Sequence, residues 1–307
     1  MIDDYLKGLR NKCVQLAQKR RPVGWYAAAG LCLGLATLTR PSSYYLPVIL
    51  VPLVLWYDSP AAAFEEALPL GNGRTGVMAF GGPSSDRFLL NDSTLWSGGP
   101  SEPAMNPDAV TWLPRVREAL FKGDYKTADT LTRKLQGRFS QSYAPLGDLF
   151  IDSPGLAEGQ VTGYRRQLDL ASATARTTVL AGPVAFAREA FVSYPDKVLV
   201  IRLSSSVPGR LAAVLRFTSQ LRHEVAMTAE GDLLLSGRAP VHAEPSYRGN
   251  IANPIVYGEG PNPNGMRFAA RARVLHTDGK SAAGTGRVSV DGATVAIVAV
   301  AIDTSFA

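Results

Sequence analysis

The amino-acid sequence predicts an all-β protein: a large antiparallel β-sandwich of the super-sandwich kind, with a short inserted helical pair, preceded by an apolar helical N-terminal segment. Three observations lead there. After residue 73, apolar and polar residues alternate along run after run, the period-2 pattern of half-buried strands. Gly, Pro, Asn and Asp separate most of these runs, so neighbouring strands can reverse through short turns. Only one long interruption has a helical period. So many strands without intervening helices call for two sheets packed face to face.

In chain order, residues 1–54 stand apart as a basic N-terminus plus a membrane-type segment. Residues 1–55 hold seven basic side chains against two acidic ones, a surplus of five out of the net +6 of the whole chain. The positive charge therefore belongs to this segment, and a nucleic-acid partner for the rest loses its support. Both cysteines, Cys13 and Cys32, lie here as well. Residues 23–57 are apolar except for Arg40 and a few hydroxyls, and they follow Lys19-Arg20-Arg21, the order of a membrane segment with a cytoplasmic N-terminus. Arg40-Pro41-Ser42-Ser43 divides the run into halves, each shorter than the ~20 residues of one span. A kinked span, a re-entrant pair, part of a larger bundle and a cleaved signal peptide with small residues at 59–63 all remain open. The expectation is membrane association via residues 23–57 and a membrane-associated or extracytoplasmic location. The stretch from Gly30 through Thr39-Arg40-Pro41 resembles a segment of polytopic glycosyltransferases of the protein mannosyltransferase type.

Residues 55–307 form the second domain. Strand-like runs fall at 77–80, 87–90, 148–151, 164–170, 173–180, 184–193, 198–203, 211–217, 233–236, 286–290 and 294–302. The clearest alternation is at 266–275, where Met266, Phe268, Ala270, Ala272 and Val274 share one face and Arg267, Arg271 and Arg273 the other. Asp291-Gly292 reads as a two-residue hairpin turn. The helical insertion spans about 108–136: Leu113, Val116 and Leu120, then Ala128, Leu131 and Leu135, recur at helical spacing on either side of Gly123-Asp124. Pro114 suits a first helical turn, so the first helix is expected to be irregular before it. Residues 246–264 read as a long loop.

The inventory for chemistry is narrow. His223, His242 and His276 are isolated and the main domain has no cysteine, so neither a metal nor another cofactor is expected. Gly71-Asn72-Gly73-Arg74-Thr75-Gly76 has dinucleotide-loop spacing without the strand, helix and ribose-binding acid that give it meaning, and reads as a turn into the next strand. No Gly-x-Ser-x-Gly elbow is present. Paired carboxylates are the remaining route to hydrolysis, with Glu65, Glu66 and Asp92 as candidates. Glu66 fits a short turn before Leu68-Pro69, and Asp92 fits a hydrogen bond to the Ser93-Thr94 backbone. Trp96 could stack on a sugar ring or close the end of the sandwich.

Eight motifs occur in order: Leu-Trp-Tyr-Asp-Ser-Pro at 55–60, Glu-Ala-Leu-Pro-Leu-Gly-Asn-Gly-Arg-Thr-Gly at 66–76, Leu-Asn-Asp-Ser-Thr-Leu-Trp-Ser-Gly-Gly-Pro at 90–100, Tyr-Ala-Pro-Leu-Gly-Asp at 143–148, Tyr-Arg-Arg-Gln-Leu-Asp-Leu at 164–170, Ser-Tyr-Pro-Asp at 193–196, Leu-Ser-Gly-Arg-Ala-Pro at 235–240 and Gly-Met-Arg-Phe at 265–268. Together they resemble the N-terminal β-domain of glycoside hydrolase family 95, the α-L-fucosidase family. The resemblance implies inverting hydrolysis of terminal α-L-fucosides by an acid Glu and by Asn and Asp residues in a later (α/α)6 barrel. No position here matches those catalytic motifs. The expectation is thus a truncated α-L-fucosidase-like hydrolase, inactive alone, whose fucosylated glycan is reached through the missing catalytic domain. Asn91, Asp92, Thr94 and Trp96 are the substrate-binding candidates, at the mouth of that barrel. The alternative is a membrane-tethered, non-catalytic carbohydrate-binding module.

Overall fold

The computed structural model describes residues 53–99, 106–137, 141–157, 159–259 and 265–306. The apolar run expected to reach a membrane lies outside them except for residues 53–57. Of these, Val54–Tyr57 form an edge strand rather than the end of an apolar span, paired residue for residue with Asp169 to Arg166. Among the described residues no helix is long and apolar enough to cross a membrane.

Two compact units emerge. Among the described residues, the first comprises those up to Leu95, those within Pro145–Arg238 and those from Arg267 onward; the second comprises those within Trp96–Ala144 and Ala239–Met266. In chain order the strands are β1 (Val54–Tyr57), β2 (Leu68–Gly71), β3 (Thr75–Ala79), β4 (Ser85–Asp92), β5 (Gly147–Asp152), β6 (Val161–Asp169), β7 (Thr174–Ala181), β8 (Val184–Val192), β9 (Val198–Ser205), β10 (Leu211–Thr218), β11 (Arg222–Met227), β12 (Leu233–Arg238), β13 (His242–Ala243), β14 (Ile255–Val256), β15 (Arg267–Thr277), β16 (Lys280–Gly284), β17 (Arg287–Ala293) and β18 (Val295–Thr304). In the first unit they build a nine-stranded sheet, β1-β6-β7-β8-β9-β18-β15-β12-β11, and a seven-stranded sheet, β16-β17-β10-β5-β4-β3-β2. Both are antiparallel, and the all-β class predicted from alternation holds.

Alternation explains the core. Phe88 and Leu90 of β4, Leu149 and Ile151 of β5 and Leu215 of β10 are at most 2% exposed, while their chain neighbours point outward. Strands β9 and β18 lie mid-sheet and read as nearly continuous apolar runs, because both their faces are covered. Val198, Val200 and Ile297 form a separate apolar cluster there. On β15, Phe268, Ala270 and Ala272 are buried as the pattern predicts. On its other face Arg271 and Arg273 both donate to Asp232, Arg273 from Nε at 2.7 Å.

Two buried arginines tie loops to the inner face of the nine-stranded sheet. Arg166 donates from Nε to the Ser59 carbonyl and from Nη1 to the Glu66 carbonyl, both at 2.7 Å, and its guanidinium lies 4.1 Å from the centre of the Tyr57 ring. Arg188 donates to the Gly82 carbonyl, to Ser153 Oγ at 2.9 Å and to Asp86 Oδ2 at 3.3 Å. Asp86 also accepts the Gly81 amide at 2.7 Å. Burial pushes the Asp86 carboxyl above its ordinary pKa, and Arg188 pulls it only part of the way back. Burial raises the Tyr164 phenol too; its hydroxyl donates to the Gly81 carbonyl at 2.7 Å.

Two expectations need correcting. Asp291-Gly292 is no hairpin: both residues lie within β17, whose register with β10 shifts between Leu211 and Ala213, and Gly292 takes φ 63°. The positive φ serves an irregularity inside the strand, and β17 and β18 belong to different sheets. In the second unit, helices α1 (Ala109–Phe121) and α2 (Tyr125–Thr132) match the predicted pair, but α1 runs straight through Pro114 from its start at Ala109. The break between them follows from Gly123 at φ 73° and from Asp124, whose side chain caps α2 by accepting the Thr127 amide. Val116, Ala119 and Ala128 are the buried residues of this pair, whereas Leu113 and Leu120 stay partly exposed.

Candidate functional site

The glycine-rich run 71–76 is the turn of a hairpin joining β2 to β3. Asn72 Oδ1 accepts the amides of Arg74 and Thr75 at 3.1 and 2.8 Å, and Gly73 takes φ 91°, a conformation that disfavours any side chain. Asn72 Nδ2 donates to the Ser193 carbonyl at 3.0 Å, which ties the turn to the loop after β8.

This turn delivers Arg74 to the end of β4. Its Nε donates to Asp92 Oδ2 at 3.2 Å and its Nη2 to Asp303 Oδ1 at 2.6 Å. Burial works against the charge on Arg74, but Asp92 and Asp303 outweigh it and raise the guanidinium pKa. Asp92 is fully buried, and its Oδ1 accepts the Thr94 amide at 2.9 Å and the Thr94 hydroxyl at 2.6 Å, the backbone bond expected from its position. Thr94 Oγ1 also lies 2.5 Å from Thr304 Oγ1, on β18 of the nine-stranded sheet.

Three of the four predicted site residues, Asn91, Asp92 and Thr94, lie in the first unit. Asp92 and Thr94 are bonded to each other. Asn91 adjoins Asp92 in sequence but points to the opposite face of β4, as strand pleating demands. Trp96 belongs to the second unit. There it forms an antiparallel bridge with Tyr143, the two rings edge to face with centroids 5.4 Å apart. Both rings are about two-fifths exposed, at 42% and 44%.

Beside them is a polar chain that the sequence did not disclose. Ser97 Oγ donates to Gln141 Oε1 at 2.9 Å, Gln141 Nε2 lies 3.0 Å from His242 Nδ1, and His242 Nε2 lies 3.0 Å from Glu244 Oε1. With Nδ1 facing an amide NH2, the neutral tautomer carries its proton on Nε2 and donates to Glu244. His242 therefore has partners on both ring nitrogens. The spacing of two between His242 and Glu244 at the β13 strand was the one available signal. Among the described residues no group of three or more His, Cys, Asp or Glu is arranged to hold a metal ion. Of the carboxylates in the opening stretch, Glu66 accepts the Ala62 amide at 2.7 Å within the expected short turn, and these backbone bonds lower its pKa.

A two-sheet antiparallel domain carrying eight ordered carbohydrate-enzyme motifs defines the class: an N-terminal β-domain of a glycoside hydrolase. The chain belongs to the family described as glycosyl hydrolase family 65, N-terminal domain, whose model matches residues 55–307. Alpha-L-fucosidase 2 of Arabidopsis thaliana is 33% identical over 83% of this chain and 30% of its own length. A probable alpha-fucosidase A of Aspergillus niger is 38% identical over 50% of this chain and 20% of its own. The chain thus spans no more than about a third of these relatives. A solved structure, a putative kojibiose phosphorylase from human microbiome, matches 83% of this chain and 32% of its own at 10% identity with a TM-score of 0.39.

Proposed function

We propose that residues 55–307 are the N-terminal supporting β-domain of an α-L-fucosidase of the family 95 type, and that the glycosidic bond is cut by residues outside this domain. Two of the relatives are named as fucosidases, which supports a fucosylated glycan as substrate. The observation that carries the reading is that Glu66, Asp86 and Asp92, three carboxylates of the opening stretch, are committed to structure. Glu66 and Asp86 accept backbone amides, and Asp92 accepts the Thr94 amide while paired with Arg74. A general acid or base must instead turn an oxygen toward the glycosidic bond. In this reading Asp92 and Thr94 hold the end of β4, and Trp96 is the side chain that meets sugar.

The exposed Trp96–Tyr143 pair also favours a second reading, glycan binding without hydrolysis. One experiment separates the two. Residues 55–307 replace the aligned stretch of the Arabidopsis relative, and fucose release is measured for the chimaera, for the relative lacking that stretch and for the full 307-residue chain. The supporting-domain reading expects release from the chimaera alone. Turnover by the 307-residue chain that disappears in Asp92→Asn or Glu65→Gln would place the chemistry inside this domain.

A further inference from the structure

We propose that the outer face of the nine-stranded sheet carries a second saccharide site, selective for a sugar bearing a carboxylate or sulfate, built from Trp56, Arg165, Gln167, Arg176 and Thr178. The site goes beyond the fucosidase reading and does not depend on it. Strand register creates it: Trp56 stands opposite Gln167, Gln167 opposite Arg176, and Arg165 opposite Thr178. Arg166 and Leu168 are 2% and 3% exposed on the inner face, so Arg165 and Gln167 point outward. Arg165, Gln167, Arg176 and Thr178 line a cavity of about 150 Å³.

The groups are held in place for recognition. The Arg165 guanidinium sits 5.0 Å from the centre of the Trp56 ring, and its Nε donates to Gln167 Oε1 at 3.1 Å. Arg176 meets Glu189 only at 3.7 Å, whereas Arg202 holds the other oxygen of that carboxylate at 3.0 Å. The lining of this cavity has two guanidinium groups, an amide and a hydroxyl, and no carboxylate. Guanidinium forks match the paired oxygens of a carboxylate or sulfate, while the amide and hydroxyl suit ring hydroxyls. Trp56, 57% exposed at the sheet edge, supplies an apolar ring for a pyranose.

The test is calorimetric titration of the full chain with a galacturonate trimer, a sulfated galactose oligomer and a neutral galactose trimer, at low and high salt. At least one anionic sugar is expected to bind about tenfold or more tightly than the neutral one, and to weaken with salt. The stronger of the two identifies the substituent. Arg176→Gln, on the exposed face, is expected to weaken binding about tenfold, and Trp56→Ala severalfold, at unchanged Tm. Arg165→Lys, which keeps the charge but loses the fork, is expected to recover only part of the affinity. Equal affinity for neutral and anionic sugars, binding indifferent to Arg176→Gln, inorganic sulfate binding as well as the sulfated sugar, or stronger binding of a single-stranded oligonucleotide would each overturn the site. Fucose release by the chimaera is expected to be unaffected by Arg176→Gln, so failure here is distinguishable from failure of the fucosidase reading.

Discussion

Arg74 and Asp92 meet at 3.2 Å across the β3–β4 hairpin, and the same guanidinium reaches Asp303, so one side chain ties the two sheets together at their ends. The two acids differ in burial: the Asp92 side chain is 0% exposed and that of Asp303 76%. Asp92→Ala removes the acceptor for Arg74 and for both Thr94 donors, and is expected to cost about 2–4 kcal/mol in urea unfolding. Asp303→Ala breaks a solvated pair and is expected to cost less than about 1 kcal/mol. Similar losses from both would refute the assignment of Asp92 as the structural member.

Arg188 and Asp86 form the most enclosed ion pair described, with side chains 9% and 2% exposed. Arg188→Met leaves the Asp86 charge buried and unmatched, an expected loss of about 3–5 kcal/mol at neutral pH. Burial already raises the Asp86 pKa, and removing the cation raises it further. A carboxyl with a folded pKa above its unfolded value takes up protons on folding as pH falls, which stabilises the folded state. The deficit of Arg188→Met relative to wild type should therefore shrink between pH 7 and pH 5. A constant deficit would count against it.

Asp278 responds to pH in the opposite direction. Its Oδ1 accepts the amides of Val295 and Thr294 at 2.9 and 2.7 Å, and these bonds lower its carboxyl to about 2. The unfolded value is about 4. The stabilisation is fully present above the unfolded value and is lost as pH falls from there toward 2. Wild type should outlast Asp278→Asn in thermal melts at pH 6, and the two curves should converge near pH 2. A gap in Tm independent of pH would contradict this account.

Trp96 tests the sugar contact. An edge-to-face aromatic pair is worth about 0.5–1.5 kcal/mol beyond the area it buries, and Trp96 is more than half covered, so Trp96→Ala should lower stability by about 1–3 kcal/mol. Affinity for a fucosylated oligosaccharide, measured by titration, should fall severalfold, with Trp96→Phe in between. A variant that melts earlier but binds as before would return Trp96 to a purely structural role.

The strands legible in the sequence are those with a buried face. Phe268, Ala270 and Ala272 alternate with Arg271 and Arg273 because β15 lies inside a sheet, with one face in the core and the other lined by polar side chains. The four long-sheet strands that alternation did not reveal, β1, β2, β11 and β16, are the four sheet edges. On β16 every residue is exposed, so no apolar period exists to be read, and Pro69 interrupts β2 where an edge tolerates it.

For the candidate site the division is similar. Residue order alone determined that the chain is all-β with a helical pair, and that Asp92 bonds to the Thr94 backbone, because alternation, turn chemistry and a short polar side chain act within a few residues. Tertiary structure decided the rest: Asn91 was separated from Asp92 by the pleat, Arg74 was brought to Asp303 over 229 positions, Gln141 was joined to His242 over 101, and Trp56 and Arg165 were laid side by side. Such contacts depend on strand register and sheet order, which are fixed by burying the whole core at once and leave no local pattern in the chain.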